Sequence, residues 1–151
     1  MKKLTTILLG LILLFFAACK TVPDANAVKK EVLNIHDKLM MDGEKVVKNR
    51  MKLDSLLKSD QIKSVDDSLR LAGLVAKLNT ADEHMMDWMH FFKDDFKGKN
   101  AEEDLAYYKS EMIKVRAIED QYIKVTKSSD SVLQLYNIKP TPKMEMEHHQ
   151  H

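Results

Sequence analysis

Three long segments of the chain carry apolar residues at alternating spacings of three and four, which is the repeat of one face of an α-helix. The segments cover residues 27–58, 64–96 and 101–137. The sequence contains no run of alternating strand residues and no hairpin dipeptide between apolar runs. The pattern therefore predicts an all-α fold, an elongated antiparallel three-helix bundle. The alternative is a helical hairpin with a loosely docked third helix, completed by dimerisation.

Each predicted helix presents one apolar face to the core. In chain order, the three faces are Val28, Val32, Ile35, Leu39, Val46, Leu53 and Leu57; Leu71, Leu74, Leu78, Ala81, Met85, Trp88 and Phe92; and Leu105, Tyr108, Met112, Val115, Ile118, Tyr122, Val125, Val132 and Tyr136. Gly43 lies on the first face, where it predicts close approach of another helix or a local bend. Ser129 interrupts the third face, so we expect it near a helix end or an exposed edge.

Polar residues and prolines mark the boundaries of these helices. Ser64, followed three residues later by Asp67, predicts the start of the second helix. Asn100 predicts the start of the third, with Glu103 three residues later able to bind the backbone at the start of that helix. Pro140 and Pro142 follow the third helix and prevent its continuation. We therefore assign residues 27–137 to one bundle domain and residues 138–151 to a flexible tail rich in His and Met.

The first nineteen residues have the features of a targeting segment. Two lysines precede the apolar run 4–16, which is short for a membrane span, and Ala17, Ala18 and Cys19 follow it. This arrangement resembles a bacterial lipoprotein signal: residues 1–18 would be removed, Cys19 would be lipidated, and residues 19–26 would form a tether. The alternative is an ordinary secretory signal. Because Lys20, and not Asp, follows the cysteine, the resemblance implies an outer-membrane lipoprotein that faces the periplasm.

Charge and cysteine content exclude several classes of function. Removal of residues 1–18 leaves 22 basic and 23 acidic residues, a net charge of −1, so no basic surface for nucleic acid is expected. The single cysteine, once acylated, leaves no thiol for a disulfide, a zinc knuckle or a nucleophile. The sequence also lacks a phosphate-binding loop, a dinucleotide fingerprint and a nucleophile elbow. We therefore expect a protein that is not an enzyme.

Histidine and methionine residues give the strongest chemical signal within the predicted bundle. If the first and second helices are joined by a turn near residue 60, a residue of the first lies beside the residue of the second whose number brings the sum to about 121. His36 then lies at the level of His84 to Met86. His36 and Met40, like Met86 and His90, are four residues apart on the flank of a helix. Thioether sulfur suits Cu(I), whereas imidazole suits copper, zinc or nickel. The predicted bundle site therefore consists of His36, Met40, Met86 and His90.

Other residues of the same stretch are assigned to packing. Met85, Trp88, Met89 and Phe92 follow the apolar face of the second helix, where Met fills gaps beside aromatic rings. His84 projects towards the opposite flank from Met86 and is assigned to no site.

The C-terminal tail adds a second candidate metal site. Its candidate ligands are Met144, Met146, His148, His149 and His151. The alternative is a solvated end that binds nothing. Copper, as Cu(I) or Cu(II), is the expected metal, with zinc and nickel less favoured. Haem is disfavoured because the chain has no covalent attachment motif and no excess of small residues to line a pocket.

The whole mature chain resembles small helical lipoproteins of the Bacteroidota kind, some of which are labelled viral A-type inclusion protein. The resemblance rests on Ile35-His36-Asp37 with Met40, and on Ala81-Asp82-Glu83 with Met85-Met86-Asp87-Trp88-Met89. It implies a helical lipoprotein of the cell envelope and supplies no catalytic residues. The expected function is binding of copper or another soft metal for buffering or delivery. The alternatives are a helical spacer that docks another envelope protein, and a stress-response lipoprotein that binds periplasmic clients.

Overall fold

The computed structural model describes residues 24–143, which form three packed helices. Helix α1 is Ala25–Leu57, α2 is Val65–Phe91 and α3 is Ala101–Leu135. No strand occurs in residues 24–143. The predicted all-α three-helix fold is confirmed. The signal segment, Cys19 and the tail candidates Met144, Met146, His148, His149 and His151 lie outside the described residues.

Contacts between the helices fix their relative directions. The ring of His36 on α1 contacts that of Trp88 on α2, whereas Arg50, further along α1, donates a hydrogen bond to Asn79, which comes earlier on α2. Helices α1 and α2 are therefore antiparallel. Lys38 pairs with Glu119 and Lys45 with Asp130, so α1 and α3 run in the same direction. Within residues 24–143, no helix is long and apolar enough to cross a membrane.

Helices α2 and α3 begin at the predicted caps, whereas α1 begins at Ala25, two residues before the predicted start at residue 27, because the Asp24 side chain caps it within the predicted tether. Ser64 Oγ accepts a hydrogen bond from the Asp67 N–H over 3.4 Å. Asn100 Oδ1 accepts from the N–H groups of Glu102 and Glu103, and the Glu103 carboxylate accepts from the Lys99 N–H over 2.7 Å. These side chains bind N–H groups that have no acceptor within the helix.

Helix α2 ends at Phe91, five residues before the predicted end at residue 96. Phe92 is extended, and its ring stacks on Trp88 with 4.7 Å between centroids. Two tyrosines of α3 bind the backbone of the following loop: Tyr107 Oη accepts from the Lys93 N–H, and Tyr108 Oη donates to the Asp94 carbonyl. The helix ends early because these contacts replace the hydrogen bonds of another helical turn.

The core contains most of the predicted apolar faces, and four polar side chains are also buried. Three of the four, Asn49, Glu111 and Ser129, lie on the helices. The expectation that Ser129 lies at an end or an exposed edge is wrong, because its side chain is fully buried and its hydroxyl accepts a hydrogen bond from Asn49. The expected close approach at Gly43 is present: a Cβ at this position would lie 3.7 Å from the hydroxyl of Tyr122.

Residues 138–143, which the sequence analysis assigned to the flexible tail, lie along α1 and are called the strap here. Asn137, with a φ of 57°, reverses the chain after α3, and the Ile138 N–H donates to the Leu133 carbonyl over 2.8 Å. Lys52 then donates to the Lys139 carbonyl and to the Thr141 hydroxyl, over 2.9 and 3.0 Å. The Thr141 N–H donates to Asn49 Oδ1 over 3.1 Å. The side chains of α1 thus supply partners for the strap that no sequence periodicity reveals.

Candidate functional site

A groove of about 390 Å³ between α1 and α2 carries the densest cluster of candidate ligands in the described residues. We call it the methionine groove. Seven methionines fall within residues 24–143, and five of them line this groove: Met40, Met51, Met85, Met86 and Met89. Of four other surface grooves in the described residues, one is lined by a methionine, Met51, and the other three by none. The groove therefore concentrates thioether sulfur on one side of the bundle.

Four of the five methionines belong to one end of the groove. The contact between His36 and Trp88, together with the antiparallel direction of α1 and α2, brings Met40 to the level of Met86 and Met89. Met85 lies beneath them in the core, whereas Met51 is eleven residues from Met40 and thus about 16 Å further along α1. Met40 and Met86 are each at least half exposed. Their flexible side chains can therefore rearrange around a ligand.

Gly43 and Tyr122 also line the methionine groove. Because Gly43 has no side chain, the Tyr122 ring of α3 reaches past α1 and lines the groove from below. Burial, reinforced by the negative charges of Asp82 and Asp42, raises the pKa of Tyr122 to about 12. The phenol is therefore neutral at ordinary pH and does not offer an anionic oxygen to a metal.

The charged groups at the rim of the groove are few. Glu44 and Lys48 form an ion pair on α1, and Asp82 lies on α2. The other lining residues are apolar apart from Tyr122. The interior of the groove therefore favours an uncharged or soft ligand over a strongly hydrated ion.

The predicted bundle ligands separate into two groups. Met40 and Met86 share the methionine groove, whereas His36 and His90 are not among the residues that line it. His36 lies against Trp88 with 5.8 Å between ring centroids, and its Nδ1 donates to Asp37 over 2.9 Å. His90 is exposed, and its ring meets Phe91 edge-on at 4.9 Å. The predicted proximity of His36 to the 82–90 stretch is thus present, but His36 meets an aromatic ring there and not a thioether.

The third histidine of the described residues faces α3. His84 Nδ1 donates to Gln121 Oε1 over 2.8 Å. Within residues 24–143, no three side chains of the His, Cys, Asp or Glu types come together in an arrangement that could hold a metal ion.

A second groove, of about 470 Å³, lies between α2 and α3 and contains a buried carboxylate that the sequence analysis missed. Glu111 is 4% exposed; it accepts hydrogen bonds from Trp88 Nε1 over 2.9 Å and from Lys114 Nζ over 2.7 Å. The sequence offered one signal for a polar partner of Trp88, because an indole N–H on a buried helix face requires a hydrogen-bond acceptor. Both oxygens of Glu111 have partners, so its role is to hold Trp88 in place.

Comparison of the chain with protein-family models, with curated proteins and with solved structures gave no match. The function proposed below therefore rests on the chemistry of the side chains described above.

Proposed function

We propose that this chain is a non-enzymatic, lipid-anchored protein of the cell envelope that binds Cu(I) for buffering or delivery. One observation carries the metal proposal: Met40, Met86 and Met89 line the same end of the methionine groove, with Met85 beneath them. The tail residues Met144, Met146, His148, His149 and His151 supply further donors. His36 and His90 are left out of the proposed groove site.

The donor type favours Cu(I) over other metals. Thioether sulfur is a soft, uncharged ligand that binds Cu(I) well and hard cations such as Mg²⁺ or Ca²⁺ poorly. Two donors of the groove come from α2 at a spacing of three residues, and a third comes from α1. Three thioethers around one ion leave the net charge of the site at +1, which an apolar groove tolerates better than a divalent ion.

The test is a Cu(I) titration in competition with a coloured Cu(I) chelator, on a soluble form of the chain that begins at Lys20. We expect binding tighter than micromolar. Met40→Leu, Met86→Leu and Met89→Leu combined should weaken binding at least tenfold, about 1.4 kcal/mol. Leu keeps the approximate volume of Met, so the fold should survive. Met41→Leu with Met112→Leu, at positions outside the groove, is the matched control and should leave the affinity unchanged.

Two results would contradict this proposal. One is the absence of Cu(I) binding tighter than micromolar in the chain from Lys20 to His151. The other is an equal loss of affinity in the groove variant and in the Met41 and Met112 control. Circular dichroism of each variant would establish that the helices are intact.

The proposed anchor has its own test. Cells that express the full chain are labelled with an alkyne-tagged fatty acid, and the protein is then separated from soluble proteins. Label and membrane association should both be lost in Cys19→Ser. Retention of the label in that variant would refute lipidation at Cys19, whatever the outcome for copper.

The rival function is a helical module that docks another envelope protein through the methionine groove. Exposed methionines are typical of adaptable protein-binding surfaces, and Met40, Met51 and Met86 are each at least half exposed here. The two functions differ in their response to Leu at these positions. Leu abolishes a thioether ligand but retains an apolar surface, so a docking module would keep its partner in the groove variant.

A further inference from the structure

Most aromatic side chains of the described residues lie where α2 connects to α3. Six of the eight Phe, Tyr and Trp residues within 24–143 fall between Trp88 and Tyr108. The rings of Phe92 and Phe96 both stack on Tyr107, with 6.4 and 4.0 Å between centroids. Phe91 meets the ring of His90 instead and is 73% exposed. We call residues 91–100 with Tyr107 and Tyr108 the aromatic corner; it combines a packed aromatic base with one exposed apolar ring.

Exposed lysines follow Phe91 in the connection to α3. They are Lys93, Lys97 and Lys99. The same connection contains Asp94 and Asp95, so residues 91–100 carry three positive and two negative charges, a net charge of +1. Aromatic rings with interspersed lysines are typical of the membrane–water interface, where the rings enter the acyl boundary and lysine ammonium groups extend to the headgroups. The small net charge favours contact through the aromatic rings over purely electrostatic binding to an acidic partner.

Helix α1 begins at the same corner. The ammonium of Lys29 lies 6.0 Å from the centroid of the Tyr108 ring, and Tyr108 Oη donates to the Asp94 carbonyl over 2.8 Å. Asp24, which caps α1, precedes Lys29 by five residues, about 7–8 Å along the helix axis. The chain from Cys19 to Asp24 spans at most about 17–18 Å. A lipid on Cys19 would therefore keep the aromatic corner close to the bilayer surface.

We propose that the aromatic corner rests on the lipid bilayer, with Phe91 inserted at the acyl boundary and the lysines of the corner among the headgroups. This inference rests on the lipid anchor of the proposed function and does not depend on copper. Helix α2 is 27 residues, about 40 Å, long, so its first turn points away from the membrane. The methionine groove then opens at the side of the bundle, with Met86 five residues from Phe91 along α2.

The anchor and Phe91 contribute differently to this contact. Burial of one Phe ring favours the bound state by about tenfold to a hundredfold, which is too little to hold a freely diffusing protein on a bilayer. A lipid on Cys19 already confines the corner to the surface, so the same factor then selects the orientation of the bundle. We therefore expect the contact in the anchored chain and little binding of the chain that begins at Lys20.

The test uses the chain that begins at Cys19, whose only thiol is coupled to a maleimide lipid in phosphatidylcholine vesicles. Two versions have a single tryptophan: Trp88→Phe is combined with Phe91→Trp in one and with Leu135→Trp in the other. Leu135 is the matched control, because it is 77% exposed and ends α3 at the opposite end of the bundle. Brominated acyl chains should quench the Phe91→Trp version about twofold and leave the Leu135→Trp version nearly unchanged.

A second measurement keeps Trp88 in place. Hydrogen exchange at residues 93–99 should slow about threefold when the otherwise unaltered chain is coupled to the vesicles. Phe91→Ser should abolish this protection, whereas Leu135→Ser should retain it. Circular dichroism of each variant would establish that the helices are intact.

Equal quenching of the two single-tryptophan versions, or no quenching of either, would overturn the inference. Protection of residues 93–99 that persists in Phe91→Ser would also overturn it. Because the lipid is attached chemically, these results do not depend on lipidation in cells. Loss of the membrane contact here would refute only the orientation, whereas fatty-acid label that persists in Cys19→Ser cells would refute the proposed anchor.

Discussion

Asn49 of α1 donates a hydrogen bond to Ser129 of α3 over 2.9 Å, at a place in the core where neither side chain has any exposed surface. The same amide donates to Asp130 Oδ1 over 2.7 Å and accepts from the Thr141 N–H over 3.1 Å. One side chain therefore joins α1, α3 and the strap. Its removal would leave the Thr141 N–H without its acceptor and would remove one donor each from Ser129 and Asp130.

Asn49→Ala should lower the free energy of unfolding by about 2–4 kcal/mol, because the unpaired Thr141 N–H costs about 1–3 kcal/mol and each lost hydrogen bond, to Ser129 and to Asp130, about 0.5–1.5 kcal/mol. Urea denaturation followed by the fluorescence of Trp88, the only tryptophan, measures the change. Asn34→Ala is the matched control, since Asn34 is exposed on the same helix. Similar losses in the two variants would contradict the role assigned to Asn49.

Lys52→Met should release the strap without unfolding the bundle, because the Lys52 ammonium donates to two groups of the strap. We expect faster hydrogen exchange at the Thr141 amide and a change in global stability of less than about 1 kcal/mol. Exchange followed by NMR measures the effect. Lys30→Met, at an exposed position of α1, should leave the Thr141 amide protected.

Tyr122 should ionise well above the ordinary pH range of a tyrosine, since its pKa is raised to about 12 by burial and by Asp82 and Asp42. The phenol of the unfolded chain ionises near pH 10, so this contribution to stability is complete below pH 10 and is lost as the pH rises to 12. The loss reaches about 2–3 kcal/mol at most. Phenolate absorbance and alkaline denaturation measure the two effects, and Tyr122→Phe should remove both.

Gly43→Ala should leave stability unchanged or increase it by up to about 1 kcal/mol, because Ala favours the helix and its Cβ would meet Tyr122 at ordinary contact distance. Gly43→Leu should instead destabilise the bundle, since the longer side chain has to displace the Tyr122 ring. Thermal denaturation of the two variants gives the comparison. A large loss of stability in Gly43→Ala would show tighter packing than described.

Glu111→Gln should cost less stability than Glu111→Leu. The Gln oxygen can still accept from Trp88 Nε1, whereas Leu leaves the buried indole N–H without an acceptor at a cost of about 1–3 kcal/mol. We expect Trp88 emission to change little in Glu111→Gln and to shift in Glu111→Leu. Equal destabilisation by the two variants would mean that the pair with Lys114 matters more than the bond to Trp88.

The candidate site was only partly predictable. Helical phase identified Met40 and Met86 as flanking residues, and both line the methionine groove. The pairing of α1 with α2 also brought His36 beside the 82–90 stretch. Helical phase could not show that His36 packs on Trp88, or that Met51 and Met89 line the groove. Both facts depend on how far α1 and α2 are shifted relative to each other along their axes. The connection at residues 58–64 sets that offset.

The sequence by itself determined the number of helices, the caps of α2 and α3 and most of the core, because helical periodicity and capping are local properties of a few adjacent turns. Only the tertiary structure decided which polar residues are buried and where the chain goes after α3. Asn49, Ser129 and Thr141 are distant in sequence, and each becomes favourable inside the protein only when the others supply hydrogen bonds. The tertiary structure also gathered five methionines from two helices into one groove, which no single helical pattern specifies.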